Sequence, residues 1–271
     1  MGITKSGKQK DSLDRFYTKS EVALQCINFF EFFFKLNKFD LVIEPSAGCG
    51  SFSNYIPDCL AYDIFPQNEK IIKKDFLKID TDIFKGKKIL VIGNPPFGQQ
   101  AKKAFNFIEK SSAFADVIAF ILPLSFKKKS YYNKMPEYFH FLAEKVLAEN
   151  SFLFNGQDYS LPCVFQIWEK CEKKRKPLKI KKTTKYFSFV DKEAADFRIQ
   201  RVGGNAGRAY LDLNAAISSN YFLKNLSSFS NDEIVDIINN LEYNEINWTC
   251  GPKSLSKDDL IRSFEKQMED E

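Results

Sequence analysis

Asp40-Leu41-Val42-Ile43-Glu44-Pro45-Ser46-Ala47-Gly48-Cys49-Gly50-Ser51-Phe52 carries a short apolar run into a glycine-rich turn. The apolar run reads as a strand stopped by Glu44-Pro45, and residues 51–55 read as the opening of a helix. Glycines at such a junction let the backbone turn tightly and approach a ligand, and a following helix offers free N–H groups. In a doubly wound sheet, the end of the first strand lies at the point where the strand order reverses and nucleotide-like ligands bind. The pattern is G-x-G, not the longer dinucleotide fingerprint, and no Gly-Lys-Ser/Thr of a P-loop follows. An acid just before the turn repels a pyrophosphate and suits a cationic or amine-bearing ligand.

Outward from this turn the first 170 residues alternate apolar runs with helical patterns, as a βαβ chain does. Residues 21–36 are apolar-rich and free of Gly and Pro, which predicts a helix. Short strands are expected at 40–43 and 60–62, and buried parallel strands at 88–92 and 117–122. A helix is expected at 99–114, and two last strands at 151–154 and 164–168. The composition then shifts to a basic connector, with nine Lys or Arg among residues 170–185 against the single acid Glu172. Beyond it residues 186–202 read as strand-rich, 203–207 as a loop, and 231–241 and 257–268 as amphipathic helices, the first capped by Asn231 or Asp232. The expected organisation is a domain of residues 1–172 followed by a region of residues 173–271.

The 271 residues carry 40 Lys and Arg against 35 Asp and Glu, a formal charge of +5, and six scattered cysteines with no C-x-x-C pair. With His140 as the one histidine, zinc chemistry of the usual Cys/His spacing is not expected, and free thiols in a reducing compartment are. The polar start, residues 1–10, and the lack of a long apolar run predict a cytoplasmic protein that does not engage membranes. High Lys, Asn, Phe and Ile content points to an A·T-rich genome, bacterial or viral.

Gly93-Asn94-Pro95-Pro96-Phe97-Gly98 follows a buried strand, and its paired prolines hold the backbone extended. That rigidity aims the Asn94 side-chain oxygen and the Pro95 carbonyl at one point, where a planar NH2 group can donate to both. Phe97 offers a face on which a base stacks. Asp63 ends the next strand, where a carboxylate can accept ribose hydroxyls. Asp75-Phe76 can accept an adenine amino group and pack on its ring. Leu161-Pro162-Cys163-Val164 contains a Pro-Cys pair, but inside an expected strand, so Cys163 reads as a buried thiol; Cys49 reads as a small space-filler.

With these motifs together, the chain resembles class I S-adenosylmethionine-dependent methyltransferases of the N6-adenine type. Its E-P-x-x-G-x-G turn and its N-P-P-F tetrapeptide resemble that family's cofactor and catalytic motifs. Asp14-Arg15-Phe16-Tyr17-Thr18 is similar to the family's F-Y-T/S-P segment, with Lys19 where proline is usual. The motif order resembles the gamma arrangement, with target recognition last. The resemblance covers residues 14 to about 170. It implies a Rossmann-like, doubly wound seven-stranded sheet with a small C-terminal α+β appendage that recognises the target.

The resemblance also implies roles. Phe16, Tyr17, Thr18, Glu44, Ala47, Gly48 and Gly50 lie beside the methionine part of S-adenosyl-L-methionine. Asp63 takes its ribose, Ile64 and Phe76 pack on its adenine, and Asp75 receives the adenine amine. Asn94 and Pro95 hold the target amine, Pro96 shapes the turn, and Phe97 stacks on the flipped base. No metal is needed, and the product is S-adenosyl-L-homocysteine. Lys127, Lys128, Arg201 and Arg208 are candidate contacts to nucleic acid. DNA is favoured over RNA as the partner, in a restriction–modification setting, for a monomer or homodimer. The alternatives are an RNA adenine-N6 methyltransferase, a protein-glutamine N5 methyltransferase (a family typically with tyrosine at the Phe97 position), and a catalytically inactive nucleic-acid-binding subunit.

Overall fold

The computed structural model describes residues 16–270. The basic start of the chain, together with Asp14 and Arg15 of the F-Y-T segment, lies outside the described residues. In chain order the elements are β1 (Tyr17–Thr18), α1 (Ser20–Glu31), β2 (Leu41–Glu44), β3 (Leu60–Asp63), β4 (Ile72–Lys73), β5 (Ile89–Gly93), α2 (Lys102–Ser112), β6 (Val117–Pro123), α3 (Lys129–Tyr132), β7 (Phe139–Val146), β8 (Phe152–Phe154), β9 (Gln157–Tyr159) and β10 (Cys163–Lys170). The C-terminal part adds β11 (Phe187–Phe189), β12 (Phe197–Gln200), β13 (Ala209–Tyr210), β14 (Asn220–Asn225), α4 (Asn231–Asn239) and α5 (Lys257–Asp270). Two compact units result, one running through Phe126 and from Asn133 to Pro177, the other comprising Lys127–Tyr132 and the described residues from Leu178 onward.

The first unit is built on a seven-stranded sheet of order β4-β3-β2-β5-β6-β10-β7. Its pairs from β4 to β6 are parallel, and β10 runs against both neighbours. This is the Rossmann-like methyltransferase arrangement. The strand order reverses between β2 and β5, so the loops after these two strands open side by side. Both faces of the central strands are covered, which is why Ile89–Gly93 and Val117–Pro123 are buried at every position. Phe120, Phe165 and Trp168 are among the fully buried large side chains.

Several elements depart from the sequence reading. No α-helix follows the glycine turn; Ser53–Tyr55 is a single 3-10 turn, ended where Pro57 follows and Asp58 takes a left-handed φ of 53°. The helix expected at 99–114 starts only at Lys102, because Gln100 and Ala101 are left-handed. The strand expected at 151–154 forms at Phe152–Phe154, in a separate small sheet. Asn155-Gly156, with φ of 50° and 77°, turns the chain back into the β8–β9 hairpin, as an Asn-Gly pair favours. β1 adds to that hairpin as a third strand. β7 forms a strand that no apolar pattern announces, because its half-exposed edge position leaves no clean alternation.

The second unit packs α4 and α5 against an antiparallel sheet of order β11-β14-β12-β13 around Phe187, Phe197, Leu223, Ile234 and Phe264. The cap of α4 is Ser230, not Asn231 or Asp232: its hydroxyl accepts from Glu233 N while the Glu233 carboxylate accepts from Ser230 N. No helix among the described residues is long and apolar enough to cross a membrane.

Phe120 stands at the centre of β6 with no exposed surface. Phe120→Ala should lower unfolding stability by about 3–5 kcal/mol, measurable by denaturant titration, because the sheet cannot close over the lost ring.

Candidate active site

The loops after β2, β3 and β5 enclose a cleft of about 330 Å³ within the first unit. That size lies at the lower end of small-molecule and cofactor sites. Its lining contains Phe16, Tyr17, Thr18, Glu44, Ala47, Gly48, Asp63, Ile64, Asp75 and Phe76, with Asn94, Pro95, Pro96 and Phe97. Every residue expected at cofactor or target is therefore gathered there except Gly50 and the four basic candidates. Gly50 is buried, with φ of 89° and the Asn54 amide 3.0 Å from where a Cβ would stand, so its part is to shape the loop.

Glu44 holds the glycine turn together. Its carboxylate accepts from Ser53 N at 2.8 Å and from Phe52 N at 3.4 Å. The N–H groups expected to be free for a ligand are thus occupied by the acid that precedes the turn. The Glu44 carboxyl is raised from its ordinary 4.5 to about 7, chiefly by burial and a little by the charge of Asp63, against the pull of the Ser53 and Phe52 bonds. Asp63 stitches the turn from the other side: one oxygen accepts from Gly48 N at 2.7 Å and the other from Phe65 N at 2.7 Å. Gly48 is left-handed, at φ 57°, and the Tyr17 ring lies 2.9 Å from where a Cβ would be. Only glycine meets both conditions without displacing the ring.

Asn94 is oriented from the N-terminal segment. Its Nδ2 donates to the Phe16 carbonyl at 3.3 Å and to Thr18 Oγ1 at 3.1 Å, and Ser46 Oγ donates to its backbone carbonyl. A carbonyl can only accept, so the amide nitrogen must face Phe16 and Oδ1 must face away. Oδ1 is buried and has no hydrogen-bond partner among the described residues. Buried acceptors are nearly always satisfied, and those that are not mark sites of function or strain. Gly98, at φ 69°, closes the loop where the stem of Lys103 crosses it.

Asp75 accepts from Leu77 N and lies 3.6 Å from Lys78, so it caps the turn at Phe76–Lys78 while lining the cleft. Phe76 is almost wholly buried and stacks on Phe107. Ile64 and Phe65 are about half exposed at the rim. Residues the sequence reading missed include Ser46, Ser51, Phe65, Lys74, Leu77, Lys103 and Phe107. Ser46 and Ser51 lie inside the quoted turn; nothing in the spacing of Lys103 or Phe107 distinguishes them from other residues of α2. Cys163 is buried in β10 as expected, but Cys49 is exposed beside Ser51 and fills no space. His140 is on β7, with Nε2 2.8 Å from the Lys173 carbonyl.

The basic candidates fare differently. Lys128 is buried in the second unit, its ammonium donating to the carbonyl and hydroxyl of Ser254; burial lowers its pKa against the pull of Glu245 and Asp259. Lys127 lies over the Trp248 ring, and Arg201 donates to the Ser218 carbonyl. Arg208 is exposed, but the amides of Gly203, Ala206, Gly207 and Arg208 all bond to carbonyls of their own unit. In the basic connector Lys174 pairs with Glu137, Arg175 donates to the Met135 carbonyl and Lys181 pairs with Glu265. Lys174 and Lys181 thus meet carboxylates, while Lys128, Arg175 and Arg201 hydrogen-bond to neutral oxygens of their own units.

Sheet order, glycine turn and prolyl loop together define a Rossmann-like methyltransferase domain. The chain belongs to the EDM2 methyltransferase-like domain family, whose model matches residues 38–180, more than half of its length. No curated protein matches the sequence. Among solved structures, PH1948 from Pyrococcus horikoshii, assigned as an RNA methyltransferase, is similar over 60% of this chain and 90% of its own, at 18% identity and a TM-score of 0.42. The 23S rRNA methyltransferase ErmE is similar over 59% of this chain and 71% of its own, at 10% identity and a TM-score of 0.37.

Because the folded Glu44 carboxyl binds its proton more tightly than in the unfolded chain, its contribution to stability is full below about pH 4.5 and is lost as pH rises through about 7. The ligand-free protein should therefore lose up to about 3 kcal/mol between pH 5 and 8 relative to Glu44→Gln. Paired thermal melts of the two proteins across that range check it.

Proposed function

We propose that this chain transfers a methyl group from S-adenosyl-L-methionine to the N6 amine of adenine in a nucleic acid. The unpartnered, buried Oδ1 of Asn94 carries the reading. It is an acceptor held in place by Phe16 and Thr18, in a loop that also presents the Pro95 carbonyl, and the group it lacks is an N–H donor. An exocyclic amine has two such hydrogens. Accepting both favours a pyramidal nitrogen and exposes its lone pair. Phe97, half-buried at the cleft, gives the base a ring to stack on.

The residues of the cleft fit the cofactor. Glu44 is a buried acid with room to ionise toward a cation, Asp63 is rigidly oriented with lone pairs to spare, and Ile64 and Phe76 offer apolar walls. The cofactor, when bound, supplies a methyl group already activated on a sulfonium. The chain's own residues then have to orient the amine, exclude water and receive no covalent intermediate, so positioning and electrostatics supply the acceleration. The excess proton passes to water, and no strong base is required.

RNA is the polymer placed first. Duplex DNA gains affinity chiefly through released counterions at free Lys and Arg, and here Lys128, Lys174, Arg175, Lys181 and Arg201 are engaged internally. A looped or single strand already presents an unstacked base, which lowers the cost of flipping. The restriction–modification setting rested on DNA alone and is not proposed. The second unit is proposed as the target-recognition part, acting through Arg208 and the exposed lysines Lys179 and Lys182.

The test is label transfer from S-adenosyl-L-methionine to RNA, single-stranded DNA and duplex DNA, followed by nucleoside analysis. N6-methyladenine is expected from RNA, with Asn94→Ala losing at least about 100-fold in rate while still binding the cofactor. Label in duplex DNA alone would return the polymer to DNA; no label in any nucleic acid, with cofactor bound, would overturn the reading.

A further inference from the structure

The structure assigns a positioning role to the β8–β9 hairpin, and in particular to Tyr159, in holding the amide of Asn94. The inference rests on the function proposed above and extends it to residues outside the cleft. β1 is paired to β8 only at Tyr17 and Thr18, opposite Leu153 and Phe152, and Lys19 N donates to the Ser151 carbonyl. Phe16 stands one residue beyond this ladder, yet its carbonyl is one of the two acceptors that orient Asn94. Rings do the work that the ladder does not reach. The Phe16 ring stacks on Tyr159 at 5.0 Å between centroids and 24° between planes, and leans on Phe154 at 5.4 Å. Phe154 and Tyr159 contact each other across the hairpin at 5.8 Å. Lys19 and Asp158, paired at 2.7 Å, fasten the same segment on its far side.

The chain of cause therefore runs from the Asn155-Gly156 turn, through the two rings it brings together, to Phe16 and then to Asn94. Its weak point is clear. A hydrogen bond of 3.3 Å from a side-chain amide has little slack, and a displacement of about 1 Å at a reacting group can cost about 100-fold in rate. If the rings are removed, Phe16 is free to move and the amide can turn its oxygen away from the target.

The experiment uses the full chain with Tyr159→Ala, Tyr159→Leu and Tyr159→Phe. The side-chain NH2 of Asn94 is followed by 15N NMR, its signal identified by loss in Asn94→Ala, and steady-state rates are measured on the preferred nucleic acid. In Tyr159→Ala the Asn94 NH2 should exchange with water at least about tenfold faster, and kcat should fall about 10- to 100-fold with little change in KM for the nucleic acid. Tyr159→Phe, which keeps the ring, should restore both. Tyr159→Leu keeps bulk without a ring and decides the matter should the alanine variant fail to fold. An unchanged Asn94 signal in the folded variants overturns the proposal. So does a loss confined to KM with that signal unmoved, which would assign the ring to direct substrate contact. If the wild-type protein methylates no nucleic acid, the proposed function fails, while the NMR measurement still tests the positioning.

Discussion

A buried side-chain amide must satisfy a donor and an acceptor at once, and at Asn94 the fold meets one requirement and leaves the other open. Both recorded bonds of Nδ2 go to residues 16 and 18, almost eighty positions earlier in the chain. Those bonds tie the N-terminal segment to the loop after β5 and force Oδ1 to the opposite side. The three-stranded sheet exists to deliver that segment, and the rings around Phe16 hold its end. The aspect of the site that matters most for chemistry thus depends on contacts between parts of the chain far apart in sequence.

The glycine turn is governed by the same logic with charges in place of amides. Glu44 is buried and Asp63 is tied to two amides, and together they take up the N–H groups that a bare turn leaves open. A turn laced in this way is stiff before any ligand arrives. A carboxyl whose pKa is raised to about 7 in that setting loses its proton to solvent more readily when a cation is placed beside it, and so ligand charge and protonation are coupled.

Much of this was legible in the sequence. The two motifs mark the two loops that meet where the sheet order reverses, and each is read from local chemistry: a glycine pair needs a turn, paired prolines need an extended loop. The unbroken apolar runs at β5 and β6 signal strands covered on both faces. What escaped was of another kind. Residues 151–154 read as a strand, and Phe152–Phe154 is one, but an apolar run does not say which sheet it joins. β7 was missed because an edge strand carries no regular alternation. The lysines and arginines were counted as free charge, and only packing reveals that Lys128 points into its own unit and that Lys181 faces Glu265.

The sequence by itself determined the α/β class, the place of both motifs at strand ends and the residue types that line the cleft, since these follow from local propensity and from which side chains tolerate which backbone. The tertiary structure alone decided the direction of the Asn94 amide, the raised pKa of the Glu44 carboxyl, the support of Phe16 by Tyr159 and the pairing of Lys174 and Lys181 with carboxylates. Each of those is a property of distance and burial between residues remote in the chain, and neither quantity exists until the chain has folded.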